Sequence, residues 1–358
     1  MSPSETRLDP TTHADVFAEK IIPVSGLSQA TSQAQPKAIL LAGQPGAGKG
    51  GLARQAEIEL ANDLVKIDPD ALRDFRPGVD ALRAANPYTW SGLTHTDASQ
   101  WADKLLDATV SGKKNLIFDS ALSNGEWSSE LIRDLQAKGY EVEVRAIAAH
   151  KLESEWGVDY RFSKSVDQHG FGRHVPADKR DAIYDRLPSS LDMIHDRTDA
   201  PIRIFNREGA ELYDSRVDAR QPGAALETAR NTRLKDPAIT RVLSESWNAQ
   251  QSWHRDLPEA LARNPKVEAP TAQRLLTERS EQKVVEQISH YTEKARGHYL
   301  TTRVASVHDH LEPKQEAQPV NDATIEQRPR VNNSEPRARD KRAALMNSER
   351  PRRESRGL

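Results

Sequence analysis

Lys49 closes a glycine-rich run, Gly43-Gln44-Pro45-Gly46-Ala47-Gly48-Lys49, and Gly50 and Gly51 follow it. Glycines at this spacing let successive backbone N–H groups turn toward one ligand, and the lysine adds a point charge. A phosphate chain suits that arrangement, as in the pattern G-x-x-x-x-G-K, whose lysine reaches the β and γ phosphates of ATP or GTP. The chain departs from the pattern at the next position. Ser or Thr places a hydroxyl on Mg2+ there, and this sequence has Gly50, so the metal would need water or a nearby carboxylate instead. The plain alternative is a glycine-rich turn carrying a chance lysine.

Acids stand where a phosphoryl transfer would use them. Asp68-Pro69-Asp70 lies about twenty residues on, and an aspartate near the γ phosphate can accept the proton of an attacking hydroxyl. An aspartate before Ala71-Leu72-Arg73 is equally a good helix N-cap, and the two readings can hold, one per residue. Asp119 ends an apolar run and belongs at the mouth of a sheet. Asp103 falls within a helical segment, where a solvated acid is the commoner meaning. Arginine is one supplier of charge for the moving phosphoryl group. Arg161 follows Asp159-Tyr160 on a helix, and Arg173 lies in a segment flanked by Gly170, Gly172 and Pro176 that reads as a mobile loop. Surface ion pairing is the plain reading of both. The histidines show no metal-ligand spacing.

The elements needed to position these groups can be read from periodicity. The apolar run Ala38–Ala42 predicts a strand entering the glycine loop, and residues 52–60 a helix leaving it. Further strands are predicted at 63–67, 115–118, 140–148 and 201–205, and helices at 98–110, 126–138, 152–166 and 177–187. Five strands alternating with helices predict an α/β domain with a parallel sheet. A short helix is predicted over 13–22, with Val16, Phe17, Ile21 and Ile22 on its apolar side. Another, over 271–299, carries Val284, Ile288, Tyr291 and Ala295 at helical spacing. The expected organisation is an N-terminal helix and linker (1–36), the P-loop domain (37–218), a helical region (219–312) and a disordered basic tail (313–358).

Bulk composition narrows the chemistry. The 358 residues carry a net charge of −2 and contain no cysteine, which removes disulfides, thiolate metal sites and cysteine nucleophiles. A near-neutral chain does not point to nucleic acid as its main partner. No apolar run approaches the ~20 residues of a membrane span, and the first residues lack the layout of a signal peptide. Those features lead to the expectation of a cytoplasmic protein. The mean hydropathy of −0.74 is low for a fully packed chain.

Taken in order, GQPGAGKGGL, IDPDALR, HTDASQWAD, NLIFDSALS, KGYEVEVRAIA, DYRF, GRHVP and RIFNREGAELYDSR resemble the zeta toxin family, over roughly Val16 to Arg216. These are P-loop kinases of toxin–antitoxin systems. The resemblance implies ATP-dependent phosphorylation of UDP-N-acetylglucosamine at a sugar hydroxyl, with Mg2+, and an antitoxin protein that blocks the ATP site. It implies that Lys49 is the phosphate lysine, Asp70 the base, and Arg161 and Arg173 the arginines that close on the transferred phosphate. It places Asp103 at an acidic sugar-nucleotide contact and Asp119-Ser120-Ala121 on the family's Glu-Gly-Thr stretch. Here two glutamates are shortened to aspartate, and Ala121 lacks the hydroxyl. Those changes leave two alternatives. One is a P-loop kinase with another acceptor, such as a nicotinamide dinucleotide or a nucleic-acid end. The other is a degenerate nucleotide-binding interaction protein whose basic tail contacts a partner or nucleic acid.

Overall fold

β1 (Lys37–Ala42) is buried from Ala38 to Ala42, as an unbroken apolar strand covered on both faces must be. The structure is a computed structural model that describes residues 7–311; the expected basic tail lies outside them. β1 pairs in parallel with β3 (Leu116–Asp119) on one side and β4 (Glu141–Ile147) on the other. β2 (Val65–Ile67) joins β3, and β5 (Ile202–Phe205) joins β4, again in parallel. The order is β2-β3-β1-β4-β5-β6, with β6 (Glu211–Asp214) antiparallel to β5. The periodicity places the last strand at 201–205 and gives no sign of β6. β6 has four residues, of which only Tyr213 and Asp214 are buried, too few for an alternation to register.

Helices cover both faces. α2 (Lys49–Glu59) lays Leu52, Ala53 and Ala56 against Ile39, Leu41 and Ile117. Between β2 and the next long helix the chain makes three short ones, α3 (Pro69–Leu72), α4 (Val79–Ala85) and α5 (Trp90–Leu93). The second face is filled by α6 (His95–Ser111), α7 (Gly125–Ala137), α9 (Ala177–Arg197) and α10 (Pro222–Arg233). α9 runs ten residues past the predicted end at Leu187 and carries Pro188 inside it.

α1 (Pro10–Val16) starts earlier than predicted, capped by Asp9, and passes into a π turn at Phe17–Ile21 and a 3-10 turn at Ile22–Val24. It docks on α6. His13 stacks on Trp101 at 4.8 Å, and the indole Nε1 donates to the His13 carbonyl at 2.9 Å. Val16 and Ile21 are buried in the main core, so most of the apolar side is spent within the chain.

α8 (Lys151–His169) links the sheet to a helical layer built from α11 (Pro237–Arg263), α12 (Ala269–Glu281) and α13 (Val284–Leu311). Leu152, Phe162 and Val166 share a core with Trp247, Leu257, Leu275, Ile288 and Tyr291. The single helix predicted over 271–299 is broken at Gln282 and Lys283. Lys283 takes a φ of 51°, a left-handed turn that a helical periodicity does not reveal. The described residues belong to one compact unit. No described helix is long and apolar enough to cross a membrane.

Candidate active site

The glycine loop joins the carboxyl end of β1 to the N-terminus of α2. Gly48, the residue before the helix, has a φ of 106°, which an L side chain rarely adopts. Gly46 is constrained by space as well. A Cβ on it would lie 1.9 Å from the Ser154 carbonyl oxygen, and one on Gly157 would lie 2.4 Å from the carbonyl of Gly46. The loop and α8 therefore touch backbone to backbone, and both glycines are needed for that approach. Lys49 Nζ donates to the Gly43 carbonyl at 2.8 Å and lies 3.8 Å from Asp119 Oδ1. Gln44 and Ala47 are buried. Pro45 joins Gln44 to Gly46, and a Cβ at Gly50 or Gly51 would meet nothing within 4 Å.

Beyond the start of α2 lies a cavity of about 280 Å3, lined by Gly48, Leu52 and Gln55 on one side and Asn206, Arg207 and Glu208 on the other. The loop amides, the positive end of α2 and Lys49 fit a phosphate chain, and Gly48 belongs to both the loop and the lining of this cavity. For magnesium the fit is thinner. Among the described residues no group of three or more His, Asp or Glu side chains converges on a metal position, and Gly50 brings no hydroxyl. Asp119, 3.8 Å from Lys49 Nζ, could hold such an ion directly or through water.

Asp68 and Asp70 divide the two readings of their segment. The Asp68 carboxylate accepts from the Asp70 backbone N–H at 2.9 Å and caps α3. That leaves Asp70 free to face the site. One of its oxygens accepts from Arg73 Nε at 3.1 Å, and the other pairs with Arg173 Nη1. Burial alone would raise its pKa, but Arg173 and then Arg73 hold it below the ordinary carboxylate value. Asp119 goes the other way: burial raises it, and Lys49 offsets only part of that. Burial lowers Lys49, against the pull of Asp119 and Asp70. Arg161, whose Nε donates to the Gly157 carbonyl at 3.2 Å, is lowered by burial and then by its neighbour Arg173. Lys49, Asp70, Asp119, Arg161 and Arg173 thus form one electrostatic cluster at the mouth of the loop. Asp103 stands apart from them, exposed on α6, where partial desolvation and Asp107 raise its pKa.

Arg173 is held in place more firmly than a mobile loop would hold it. Trp90 Nε1 donates to the Gly172 carbonyl at 2.8 Å, Ser91 Oγ to the His174 carbonyl at 3.0 Å, and Ser165 Oγ to the Phe171 carbonyl at 2.7 Å. Three side chains from α5 and α8 strap the segment down, and the two from α5, 82 and 83 residues away, have no local sequence signal.

Several residues of this neighbourhood escaped the sequence reading. Arg73 did carry a signal, since Asp70 and Arg73 sit three apart on one helical face. Its guanidinium also bonds the Ser91 carbonyl and, at 3.2 Å, Thr94 Oγ1, with His95 Nδ1 at 3.3 Å. Gly157 and Arg207 carried none. Arg207 Nη1 donates to the Gly46 carbonyl at 3.2 Å and to the Glu153 carbonyl at 3.0 Å, from a turn 161 residues away.

Comparison with known proteins bears on the family and the fold. Toxin zeta of Enterococcus hirae is 28% identical over 243 residues, covering 65% of this chain and 83% of that protein. Toxin PezT of Streptococcus pneumoniae is 26% identical over 200 residues, covering 55% and 78%. A solved chain from the PezAT chromosomal toxin–antitoxin system of Streptococcus pneumoniae superposes with a TM-score of 0.58 at 20% identity, covering 70% of this chain and all of that one; it supports the fold. The zeta toxin model itself matches residues 25–218, more than half of the sequence and the whole of the P-loop sheet, and the chain belongs to the zeta toxin family.

Proposed function

We propose that the chain is an ATP-dependent kinase that phosphorylates the 3′-hydroxyl of UDP-N-acetylglucosamine or a related nucleotide sugar, as the toxin of a toxin–antitoxin pair in the cytoplasm. One observation carries the reading. Asp70, held ionised by Arg73 and Arg173, faces the same small volume as Lys49 and Arg161. A base with cations around it at the end of a phosphate loop is what transfer to a hydroxyl requires.

In this reading Lys49 leaves the Gly43 carbonyl and takes the β and γ phosphates of ATP. The acceptor hydroxyl attacks the γ phosphorus while its proton passes to the Asp70 carboxylate. The new O–P bond forms as the bond to the ADP oxygen breaks, and Arg161 and Arg173 neutralise the charge on the moving group. Magnesium, when bound, would supply positive charge against the phosphates, and Asp119 would hold it directly or through water. Asp103 would meet the acceptor further out along α6. The relatives' names, Toxin zeta and Toxin PezT, and the toxin–antitoxin system of the structural neighbour support the toxin role and an antitoxin partner. By the same resemblance that antitoxin covers the ATP site.

The shortened Asp119 and the missing hydroxyl at Ala121 favour a second reading, in which the acceptor is another nucleotide. Both are separated by one experiment. The purified chain is incubated with ATP, Mg2+ and, in parallel, UDP-N-acetylglucosamine, other nucleotide sugars and a nicotinamide dinucleotide, and mass spectrometry identifies the species that gains a phosphoryl group. Phosphorylation of UDP-N-acetylglucosamine upholds the first reading. Phosphorylation of another nucleotide alone replaces its acceptor, and ADP formation with no acceptor phosphorylated sinks both.

A further inference from the structure

Gln44 is the second residue of the phosphate loop, and its side chain points away from the ligand side into the protein, where it is 2% exposed. Nε2 donates to the Ala149 carbonyl at 3.0 Å and to Ser154 Oγ at 3.2 Å. The remaining oxygen, Oε1, accepts from Arg230 Nη2 at 3.0 Å. Arg230 lies 186 residues on, on α10, outside the segment matched by the family model.

Arg230 is itself 2% exposed. Its guanidinium sits 3.8 Å from the centre of the Tyr184 ring, its Nη1 donates to the Tyr184 carbonyl at 3.1 Å, and among the described residues it makes no ion pair. A buried cation held by a ring, a carbonyl and an amide oxygen stabilises a fold poorly compared with an apolar residue, so its placement asks for another reason. One helical turn on, Arg233 grips Glu153 with Nε at 2.6 and 2.7 Å and reaches Glu208 at 2.7 Å. The Glu153 carbonyl is also the one that Arg207 bonds while it holds Gly46. α10 therefore reaches the loop twice, directly at Gln44 and through Glu153 and Arg207 at Gly46.

We infer that Arg230 is a positioning residue for nucleotide binding: through Gln44 it holds the phosphate loop in its binding conformation from a helix outside the matched family segment. The inference rests on the reading that the loop binds a nucleoside triphosphate. Without Arg230 the Gln44 oxygen is buried and unpaired, and the loop must shift to hydrate it.

The test measures ATP affinity of the full-length chain by titration calorimetry without acceptor, with thermal unfolding in parallel. Arg230→Gln is the severe variant and Arg230→Lys the milder one, which keeps the charge and loses the planar reach to Gln44. Each folded variant is expected to bind ATP about tenfold more weakly. Thr228→Ala, exposed on the same helix, should leave affinity unchanged. Since the effect runs through Gln44, the pair Gln44→Met with Arg230→Lys should bind no more weakly than Gln44→Met alone. A folded Arg230→Lys with wild-type affinity, or losses that add in full, would overturn the inference and leave the kinase reading standing. A wild-type chain that binds no ATP removes both.

Discussion

Two aspartates at the mouth of the loop are driven in opposite directions, Asp70 down by two guanidinium groups and Asp119 up by burial. Groups separated in this way can serve different roles at one pH. Asp70, lowered from 3.8, is ionised through the neutral and mildly acidic range. Its pairing stabilises the fold above the unfolded pKa, and that contribution is lost as the pH falls through the lower, folded value. Arg73→Met removes one of the two cations, so the Asp70 pKa rises. The acid limb of kcat/KM for the acceptor is then expected to move to higher pH; an unmoved limb in a pH–rate profile would show that Arg73 does not tune Asp70. Gly50 gives a second residue-scale prediction. A Cβ there meets nothing, and serine has the better helix propensity, so Gly50→Ser should stabilise by roughly 0.5 kcal/mol. It should also lower the Mg2+ concentration needed for half-maximal turnover, as a magnesium titration of the variant and wild type would read.

At the scale of elements, the crossing of α8 over the phosphate loop puts two expectations in conflict. Gly157 is inside a helix, where alanine is worth about 1 kcal/mol more than glycine. Its Cβ would, however, stand 2.4 Å from the backbone of Gly46, and overpacking against backbone costs roughly 1–3 kcal/mol. The contact outweighs the propensity. Gly157→Ala is expected to lower the melting temperature and weaken ATP binding, and a variant more stable than wild type would show that α8 can move aside. The same crossing marks how far the sequence was legible. The loop, the strand before it and Asp70 are local features, and an apolar run, a glycine spacing and an acid after a strand expose them. Gly157 against Gly46, Trp90 on Gly172 and Arg207 on Gly46 join residues 82 to 161 apart, and nothing in a local pattern marks such partners. The break at Lys283 and the four-residue β6 were missed for a related reason, being shorter than the windows in which periodicity can be read.

Across the whole molecule the helices after residue 219 behave as part of the site's support. Trp247, fully buried, bonds the Leu152 carbonyl at 3.1 Å at the start of α8. Glu278 accepts the Tyr88 backbone N–H at 2.8 Å, just before α5 and its strap on the Arg173 segment. Trp247→Ala is expected to cost about 3–5 kcal/mol, a large share of a domain's stability, and to take nucleotide binding down with the fold; a denaturant midpoint unchanged from wild type would show the layer to be an independent appendage. The proposed role of Asp70 as the base of a phosphoryl transfer is tested by Asp70→Asn. Turnover of ATP and UDP-N-acetylglucosamine would be measured beside ATP affinity in the same preparation. Near-normal ATP binding and a fall in kcat of about 10²–10⁴-fold are expected. A variant that binds ATP and phosphorylates the sugar nucleotide at the wild-type rate would contradict that role.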